Sequence, residues 1–233
     1  MKKIVIIPAY NEISNIEFTV NDILTNAPGF DYVIINDCSQ DGTMRYCLSR
    51  GMNIINLPVN LGIGGAVQTG YLYAWRNGYD VAVQFDGDGQ HDAGYLNEMA
   101  DYLMEHQADM VIGSRFIKKE GFQSTGLRRF GIKYFSTMIK VLTGTTVLDV
   151  TSGMRMVNRD VMKAFSEDYP VDYPEPESLV SILNKGKKVC EVPVIMRERQ
   201  GGVSSISPRK SVYYMVKVTL AILMECLRKR RAR

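Results

Sequence analysis

The sequence predicts an α/β protein with a largely parallel central sheet and helices on both faces. Short β-branched runs, each ending in a turn or polar residue, alternate with helical stretches from residue 3 to residue 115. Strands that alternate with helices in this way build parallel sheets, in which ligands bind beyond the carboxyl ends of the strands. The polar clusters of the sequence fall at those ends.

The individual elements follow from this pattern. Strands are predicted at 3–8, 32–37, 52–57, 81–86 and 109–114. Helices are predicted between them, near 13–26, 41–50, 64–77 and 94–106. The second half is less regular and contains a helix near 126–143, a strand at 153–158, a helix that begins in "YPEPES" and a strand at 187–199. No low-complexity linker interrupts residues 1–207, which are therefore predicted to form one domain.

Composition is that of a soluble globular chain, except at the C-terminal end. Hydrophobic residues make up 45% and charged residues 23% of the sequence. The net charge is +3, but the last six residues, "RKRRAR", carry five positive charges and no acidic side chain. The rest of the chain is therefore slightly acidic, and the tail is strongly basic.

Residues 208–233 are predicted to form an amphipathic, membrane-associating helix with a basic tail. The apolar run at 211–227 is interrupted by Lys217 and Glu225, and it is shorter than the roughly 20 apolar residues that span a bilayer. An interfacial helix beside anionic lipid fits this pattern. The alternative is a buried C-terminal core helix followed by a disordered tail.

Two features of the sequence place the chain on the cytoplasmic side. The apolar run in "MKKIVIIPAYNE" is too short for a signal peptide. The four cysteines show no paired spacing, which favours reduced thiols in the cytoplasm. Together with the C-terminal helix, these features predict a peripheral protein on the cytoplasmic face of the cell membrane.

The most acidic stretch, "QFDGDGQHD" at 84–92, follows the fourth predicted strand. Asp86 and Asp88 are two residues apart, so both carboxylates can point into one cleft, where a divalent cation would offset their repulsion. Gln90 adds a neutral oxygen, and Mg²⁺ and Mn²⁺ prefer oxygen ligands and bridge substrate phosphates. The stretch therefore predicts a metal site. A solvated acidic turn is the alternative.

Other polar segments follow the first two strands. In "INDCSQDGT", Asp37 is a candidate acceptor for the ring N–H of a uracil or guanine, whereas residues 41–43 fit a turn and a helix start. The glycine-rich "NLGIGGAVQTGY" allows a ligand to approach the backbone, with Gly62 as the candidate nucleotide contact. It lacks the spacing of dinucleotide-binding loops and of P-loops.

In this order and spacing, the motifs resemble family 2 glycosyltransferases of the GT-A fold, and among them the polyprenyl-phosphate branch that includes dolichol-phosphate mannose synthases. The resemblance covers at least residues 3–204. It rests on "IPAYNE", "NDCSQDGT", "NLGIGG", "DGDGQH", "GSR" (113–115), Arg128 and Arg129, "SGMR" (152–155) and "RQGGVS" (199–204).

The resemblance implies a Rossmann-like GT-A catalytic domain over residues 1–207. It also implies inverting transfer of a sugar from a nucleotide-sugar to a polyprenyl phosphate, which makes a lipid-linked donor for cell-surface glycan assembly. Many members of the branch continue into transmembrane helices, which leaves a natural short form and a truncated chain as alternatives here.

The resemblance further implies a role for each matched position. The nucleotide would be held by Pro8, Tyr10, Glu12, Asp37 and Asp86. The metal, Mg²⁺ or Mn²⁺, would be held by Asp86, Asp88 and Gln90. A mobile loop would bring Arg199 and Ser204 over the diphosphate, with Gly201 and Gly202 as hinges. The acceptor phosphate would be bound by Arg115, Arg128 and Arg129, and the catalytic group would comprise Asp86, Asp88, Arg115 and Arg129. His91 is expected to support the motif, and Asp92 to cap a helix.

A phosphate acceptor fits the sequence better than a saccharide hydroxyl. A hydroxyl needs a general base at neutral pH, whereas a phosphate monoester, with a second pKa of about 6, is already ionised and needs only cations to place it. Arginine guanidinium groups bind phosphate bidentately, and ordinary surface arginines are the alternative. The candidates for a base, or for other sugar or acceptor contacts, are Asp149, Glu175 and Glu177.

Two further classes are weighed as alternatives. A nucleotidyltransferase of similar fold would carry a glycine-rich, arginine-containing loop after the first strand, where "PAYNE" stands. A non-catalytic membrane-binding module would not need Asp86, Asp88 and Gln90. The predicted partners are a nucleotide-sugar (a UDP-sugar favoured, with GDP-mannose as the alternative), a polyprenyl phosphate and an anionic membrane surface. A small membrane-protein partner and a homo-oligomer are left open, and no nucleic acid is expected.

Overall fold

The computed structural model describes residues 1–121, 126–197 and 208–231. The strands are β1 (Lys3–Ala9), β2 (Phe30–Asn36), β3 (Ile54–Asn56), β4 (Val81–Gln84), β5 (Met110–Ser114), β6 (Arg155–Asn158) and β7 (Val189–Pro193). The helices are α1 (Ile16–Asn26), α2 (Thr43–Ser49), α3 (Gly62–Arg76), α4 (Leu96–Glu105), α5 (Gly126–Thr143), α6 (Arg159–Glu167), α7 (Pro174–Asn184) and α8 (Pro208–Arg231).

The strands form one sheet in the order β3-β2-β1-β4-β6-β5-β7. β1 pairs in parallel with β2 and β4, and β5 pairs in parallel with β7. β6 is antiparallel and lies between β4 and β5. The carboxyl ends of β1, β2, β4 and β5 therefore share one edge of the sheet with the first residue of β6. We call this the carboxyl edge. The predicted α/β class and largely parallel sheet are confirmed.

The elements predicted before residue 115 all form, with bounds that differ by a few residues. The second half departs further from the prediction. α6 was not predicted, although Asn158 caps it by accepting a hydrogen bond from the backbone N–H of Val161 (3.0 Å). The predicted strand at 187–199 is shorter, because β7 ends at Pro193.

Two apolar clusters cover the two faces of the sheet. The alternation of β1 shows this directly, because Ile4 and Ile6 belong to one cluster, whereas Val5 and Ile7 belong to the other. The first cluster includes residues of α3 and α5–α8, and the second includes residues of α1, α2 and α4. Strands buried on both faces read as continuous apolar runs, which is the pattern seen in the sequence.

The C-terminal helix α8 contributes to the first cluster and also exposes an apolar face. Val218 and Ile222 are 3% and 0% exposed within that cluster, whereas Leu220 and Met224 are 56% and 64% exposed. Lys217 forms an ion pair with Asp172, which ties the helix to the segment before α7. One face of α8 thus packs in the core and the opposite face is exposed, and membrane association stays a prediction. No helix within the described ranges combines the length and apolarity needed to cross a bilayer.

Candidate active site

The acidic motif leaves β4 at the carboxyl edge. The side chain of Asp86 is 37% exposed, and Asp88 and Gln90 are half-buried. The backbone N–H of Gln90 donates to Asp88 Oδ1 (3.1 Å) across Gly89, whose φ of +76° requires glycine. This tight turn holds oxygen-bearing side chains at alternate positions beyond the strand.

His91 and Asp92 support the motif, as predicted. His91 is buried, its Nδ1 accepts a hydrogen bond from the backbone N–H of Asp86 (3.1 Å), and its Nε2 lies 3.6 Å from Asp86 Oδ2. Because Nδ1 accepts, a neutral ring carries its proton on Nε2, which faces the carboxylate. Asp92 caps the next turn by accepting from the backbone N–H of Gly94 (2.9 Å).

Two polar side chains lie behind Asp86. Buried Gln84 donates from Nε2 to Asp86 Oδ1 (3.4 Å) and accepts from the hydroxyl of Tyr169 (3.4 Å). Glu175, in the first turn of α7, lies beside the same amide. Burial raises the pKa of the Glu175 carboxyl; the Asp86 charge adds to this rise, and the Arg155 guanidinium opposes it. Glu175 is therefore brought to the acidic motif.

Glu177 belongs to a different region. It lines a crevice between α7 and α8 together with Asp168, Glu225 and Arg228. Burial raises the pKa of its carboxyl, and the negative charges of Glu225 and Asp168 raise it further. Glu175 and Glu177 are only two residues apart in the sequence, but the structure places only Glu175 beside Asp86.

The predicted nucleotide residues in and just after β1 lie at the carboxyl edge beside the acidic motif. Pro8 is buried within the strand, and Tyr10 just beyond it is 47% exposed. The backbone N–H of Glu12 donates to Thr43 Oγ1 (3.1 Å) at the start of α2, which fixes the loop after β1. Asp41 Oδ1 accepts from the backbone N–H of Thr43 (2.9 Å), which confirms the predicted turn and helix start.

Asp37 anchors the glycine-rich segment. It is 3% exposed, and its Oδ1 accepts from the backbone N–H of Leu61 (2.6 Å). Its backbone carbonyl accepts from Asn60 Nδ2 (3.1 Å), and Asn60 Oδ1 accepts in turn from the backbone N–H of Gly62 (3.2 Å). Asp37 Oδ2 has no hydrogen-bond partner within residues 1–121, 126–197 and 208–231, and its contact with a base N–H stays a prediction.

Packing explains two glycines of that segment. A Cβ on Gly64 would lie 2.0 Å from the carbonyl oxygen of Pro170, and a Cβ on Gly70 would lie 2.1 Å from Ile6 Cγ2. Glycine at these two positions lets α3 pack closely against the Pro170 backbone and against β1, and neither position is needed for the approach of a ligand. Gly62, with φ of +76°, stays the predicted nucleotide contact.

Arg115 follows β5 and forms a buried ion pair with Asp149. Its Nε lies 2.7 Å from Asp149 Oδ2, and its Nη2 lies 2.7 Å from Asp149 Oδ1. Arg115 is 8% exposed and Asp149 is 0% exposed. Nη2 also donates to Thr151 Oγ1 (3.2 Å), whereas Nη1 has no partner in the described part of the chain. This geometry leaves Nη1 for an anion and disfavours Asp149 as a general base.

The other predicted cation sites are less defined. Arg129 is exposed on α5. The side chain of Arg128 lies outside the described residues, as do Arg199, Gly201, Gly202 and Ser204. Their roles stay predictions. The residues brought together at the carboxyl edge are Pro8, Tyr10, Glu12, Asp37, Gly62, Asp86, Asp88, Gln90, Arg115 and Glu175.

Sequence reasoning did not identify several supporting residues. Arg197 ties the end of the 194–197 segment to the acidic motif, because its backbone N–H donates to the Gln90 carbonyl (2.8 Å). Its guanidinium contacts Asp22 Oδ2 (2.8 Å) and Asp92 Oδ1 (3.1 Å). Gln84 and Arg155 were also missed. The sequence signals for them were a glutamine within the apolar run of β4 and the "SGMR" motif, to which no role was assigned.

The fold and the site define a glycosyltransferase of the GT-A fold. The family model described as "Glycosyl transferase family 2" matches residues 4–165, and the chain belongs to that family. The family and fold inferred from the motifs are thereby confirmed.

Individual relatives refine the comparison. An undecaprenyl-phosphate mannosyltransferase from Micrococcus luteus is 28% identical over 221 residues, covering 89% of this chain and 88% of the relative. A UDP-N-acetylglucosamine–dolichyl-phosphate N-acetylglucosaminyltransferase from Methanococcus voltae is 30% identical over 209 residues, covering 81% and 83%. Glucosyl-3-phosphoglycerate synthase from Mycobacterium tuberculosis, in complex with Mn²⁺, UDP and phosphoglyceric acid, has a TM-score of 0.73 at 19% identity over 97% of this chain and 78% of that one. Another structure of that synthase contains Mg²⁺ and UDP.

Proposed function

We propose that this enzyme transfers a sugar from a nucleotide-sugar to a polyprenyl phosphate, with inversion at the anomeric carbon. One observation carries the proposal. The oxygen-rich motif after β4 and the guanidinium after β5 open on the same carboxyl edge, separated by β6 alone. A donor diphosphate and an acceptor phosphate can therefore be bound side by side. The polyprenyl- and dolichyl-phosphate relatives support the choice of acceptor.

The residues present fit a divalent cation of the Mg²⁺ or Mn²⁺ type. Asp86, Asp88 and Gln90 offer hard oxygen donors, and the side chain of Asp86 is 37% exposed. The described residues contain no cluster of three or more His, Cys, Asp or Glu side chains, so the protein would contribute only the two carboxylates and the amide oxygen. The remaining ligands would come from the donor phosphates and water. A bound cation supplies charge neutralisation for the departing diphosphate.

The acceptor phosphate needs placement rather than deprotonation. One of its oxygens forms the bond to the anomeric carbon, while the bond from that carbon to the diphosphate breaks and the nucleoside diphosphate leaves with the electron pair. With a second pKa of about 6, the acceptor is already largely a dianion at neutral pH. Arg115 offers Nη1 as a donor, and its pairing with Asp149 offsets the positive charge that would otherwise quench the nucleophile.

The membrane is the proposed source of the acceptor. Helices α5 and α8 expose a set of large apolar side chains, which we call the α5–α8 apolar face: Phe130, Tyr134, Val141, Leu142, Tyr213, Val216, Leu220, Leu223, Met224 and Leu227. The basic residues of "RKRRAR" follow this face directly in the sequence. An apolar face next to a basic block suits the interface of an anionic membrane, where each Lys or Arg contributes about 1 kcal/mol. This supports peripheral attachment at the cytoplasmic leaflet.

The test is transfer to a defined acceptor. The protein is incubated with UDP-glucose, UDP-N-acetylglucosamine or GDP-mannose, with Mg²⁺ or Mn²⁺, and a short-chain polyprenyl phosphate, and products are read by mass spectrometry. We expect one donor to add its sugar to the lipid phosphate. The polyprenol without its phosphate should give no product, and neither should the Asp88→Asn variant.

Two outcomes would overturn the proposal. Transfer to a saccharide without any lipid product would favour the hydroxyl-acceptor alternative, for which Glu175 is the carboxylate beside Asp86. Absence of calorimetric binding to both UDP and GDP in the presence of Mn²⁺ would exclude every enzymatic interpretation.

A further inference from the structure

The "SGMR" turn at 152–155 joins the two halves of the site. It opens β6 at the carboxyl edge, where Arg155 pairs with Gln84 of β4 on one side and with Ile112 of β5 on the other. Ser152 Oγ donates to the carbonyl of Gly113 in β5 (2.7 Å). The turn is therefore fixed between the acidic motif and the strand that carries Arg115.

Gly153 is the wall against which the Asp86 carboxylate rests. A Cβ at position 153 would lie 2.6 Å from Asp86 Oδ2 and 3.0 Å from Asp86 Oδ1. Gly153 is not among the residues with positive φ, so the backbone there accepts any side chain that has room. Space beside a carboxylate, rather than backbone conformation, is what requires glycine at this position.

Arg155 clamps this turn from behind. Its side chain is fully buried; Nε donates to the Ser152 carbonyl (2.8 Å), and Nη2 donates to the Val150 carbonyl (2.9 Å). Nη1 donates to the Glu175 carbonyl (2.5 Å) and to Ser178 Oγ (3.2 Å) in α7. One guanidinium thus binds the turn to the first turn of the helix that brings Glu175 to Asp86.

The charge of Arg155 also bears on the site. Within the described residues, its guanidinium donates hydrogen bonds to neutral oxygens, and its charge opposes the rise in the pKa of the half-buried Glu175 carboxyl. Burying a cation that has only neutral hydrogen-bond acceptors is costly, so local stability alone gives little reason for it. A cation behind two neighbouring carboxylates, Glu175 and Asp86, offsets their mutual repulsion.

We propose that residues 152–155 are the positioning element for Asp86. Gly153 sets the place of the carboxylate, and Arg155 holds the turn and α7 so that Gln84 and Glu175 stay beside it. The inference rests on the proposed function, because it takes Asp86 as a ligand of the metal and diphosphate. Arg155 touches no substrate and acts through Asp86.

The test is Gly153→Ala, which moves the carboxylate and leaves the clamp intact. Mn²⁺ binding is measured by electron paramagnetic resonance on the full chain, with UDP and in parallel with GDP. We expect affinity for Mn²⁺ to fall about 10- to 100-fold, as for other changes that misplace a metal ligand. Excess Mn²⁺ should restore turnover, and the thermal unfolding midpoint should stay at the wild-type value. Gly126→Ala, where a Cβ meets nothing within 4 Å among the described residues, is the matched control.

Arg155→Lys completes the test. Lysine keeps the positive charge but lacks the guanidinium that reaches both the turn and α7. We therefore expect its Mn²⁺ affinity to lie between those of the wild type and Gly153→Ala. Unchanged Mn²⁺ affinity in Gly153→Ala would overturn the inference. Unfolding of this variant would also overturn it, because the backbone at 153 tolerates alanine and the Asp86 side chain can rotate away from the added methyl group. Asp86→Asn separates the two proposals. If it leaves Mn²⁺ binding intact, the metal site itself is wrong; if it abolishes binding while Gly153→Ala does not, only the positioning role fails.

Discussion

Removing Asp149 should destabilise the fold strongly, because it strands a buried guanidinium. In the Asp149→Ala variant, Arg115 stays 8% exposed and loses both of its 2.7 Å contacts with the carboxylate. Removal of one partner of a buried ion pair costs about 3–5 kcal/mol. Domains are typically stable by about 5–15 kcal/mol, so the loss would be a large fraction of the total.

Removing both charges should cost far less. Replacement of a buried ion pair by apolar residues of similar volume is often neutral or stabilising. We therefore expect Arg115→Met combined with Asp149→Leu to unfold near the wild-type midpoint, whereas each single variant unfolds earlier. The combined variant should nevertheless fail to use polyprenyl phosphate, because it lacks the Nη1 donor.

Urea unfolding of the four proteins measures the free energies, and the two single variants with the double variant give the coupling energy. Single variants that lose less than about 1 kcal/mol, or losses that simply add, would refute the buried pair. A folded double variant with the wild-type KM for polyprenyl phosphate would instead refute Arg115 as the acceptor contact. The two conclusions are therefore tested separately.

Three further predictions follow from other parts of the structure. Asp88→Asn should abolish metal-dependent transfer and keep the fold, since it removes one half-buried carboxylate; wild-type turnover across a Mn²⁺ titration would contradict this. Ile222→Ala should cost about 2–5 kcal/mol in urea unfolding, whereas Met224→Ser, at a site 64% exposed, should leave stability unchanged and weaken flotation with anionic liposomes. Burial raises the pKa of Asp22, but hydrogen bonds led by that from Arg197 outweigh it and hold the pKa below its ordinary value. Its contribution is complete above about pH 4 and is lost as pH falls, so Asp22→Asn should flatten the acid loss of stability in urea unfolding below that pH.

The position of α8 determines how membrane attachment can be tested. From the sequence, deletion of residues 211–233 is expected to end attachment to anionic liposomes and to spare nucleotide binding, because no donor motif lies beyond residue 204. Val218 and Ile222 are core residues, however, so the deletion would open the first apolar cluster. Point substitutions on the α5–α8 apolar face separate attachment from folding, and a salt series adds a second readout because screening weakens contacts with anionic lipid.

Local features of the sequence determined much of the fold and the chemistry of the motifs. The apolar runs specified most strands, because strands buried on both faces must be continuously apolar. Asp41 and Asp92 predicted the turns in which they lie, since short polar side chains accept hydrogen bonds from backbone N–H groups a few residues away. The spacing of Asp86 and Asp88 predicted a group of oxygen-bearing side chains, because both residues directly follow the end of one strand.

Tertiary structure alone decided which distant charges meet. Asp149 neutralises Arg115 across 34 positions of sequence, and Glu175 reaches Asp86 whereas Glu177 turns to α8. These pairings depend on the antiparallel insertion of β6 between β4 and β5, which no periodicity specifies. A residue's local pattern sets the face on which it lies, but its partner and its burial are set by elements packed from far along the chain. For that reason the sequence predicted the candidate site residues but left open which of them are exposed and which are buried supports.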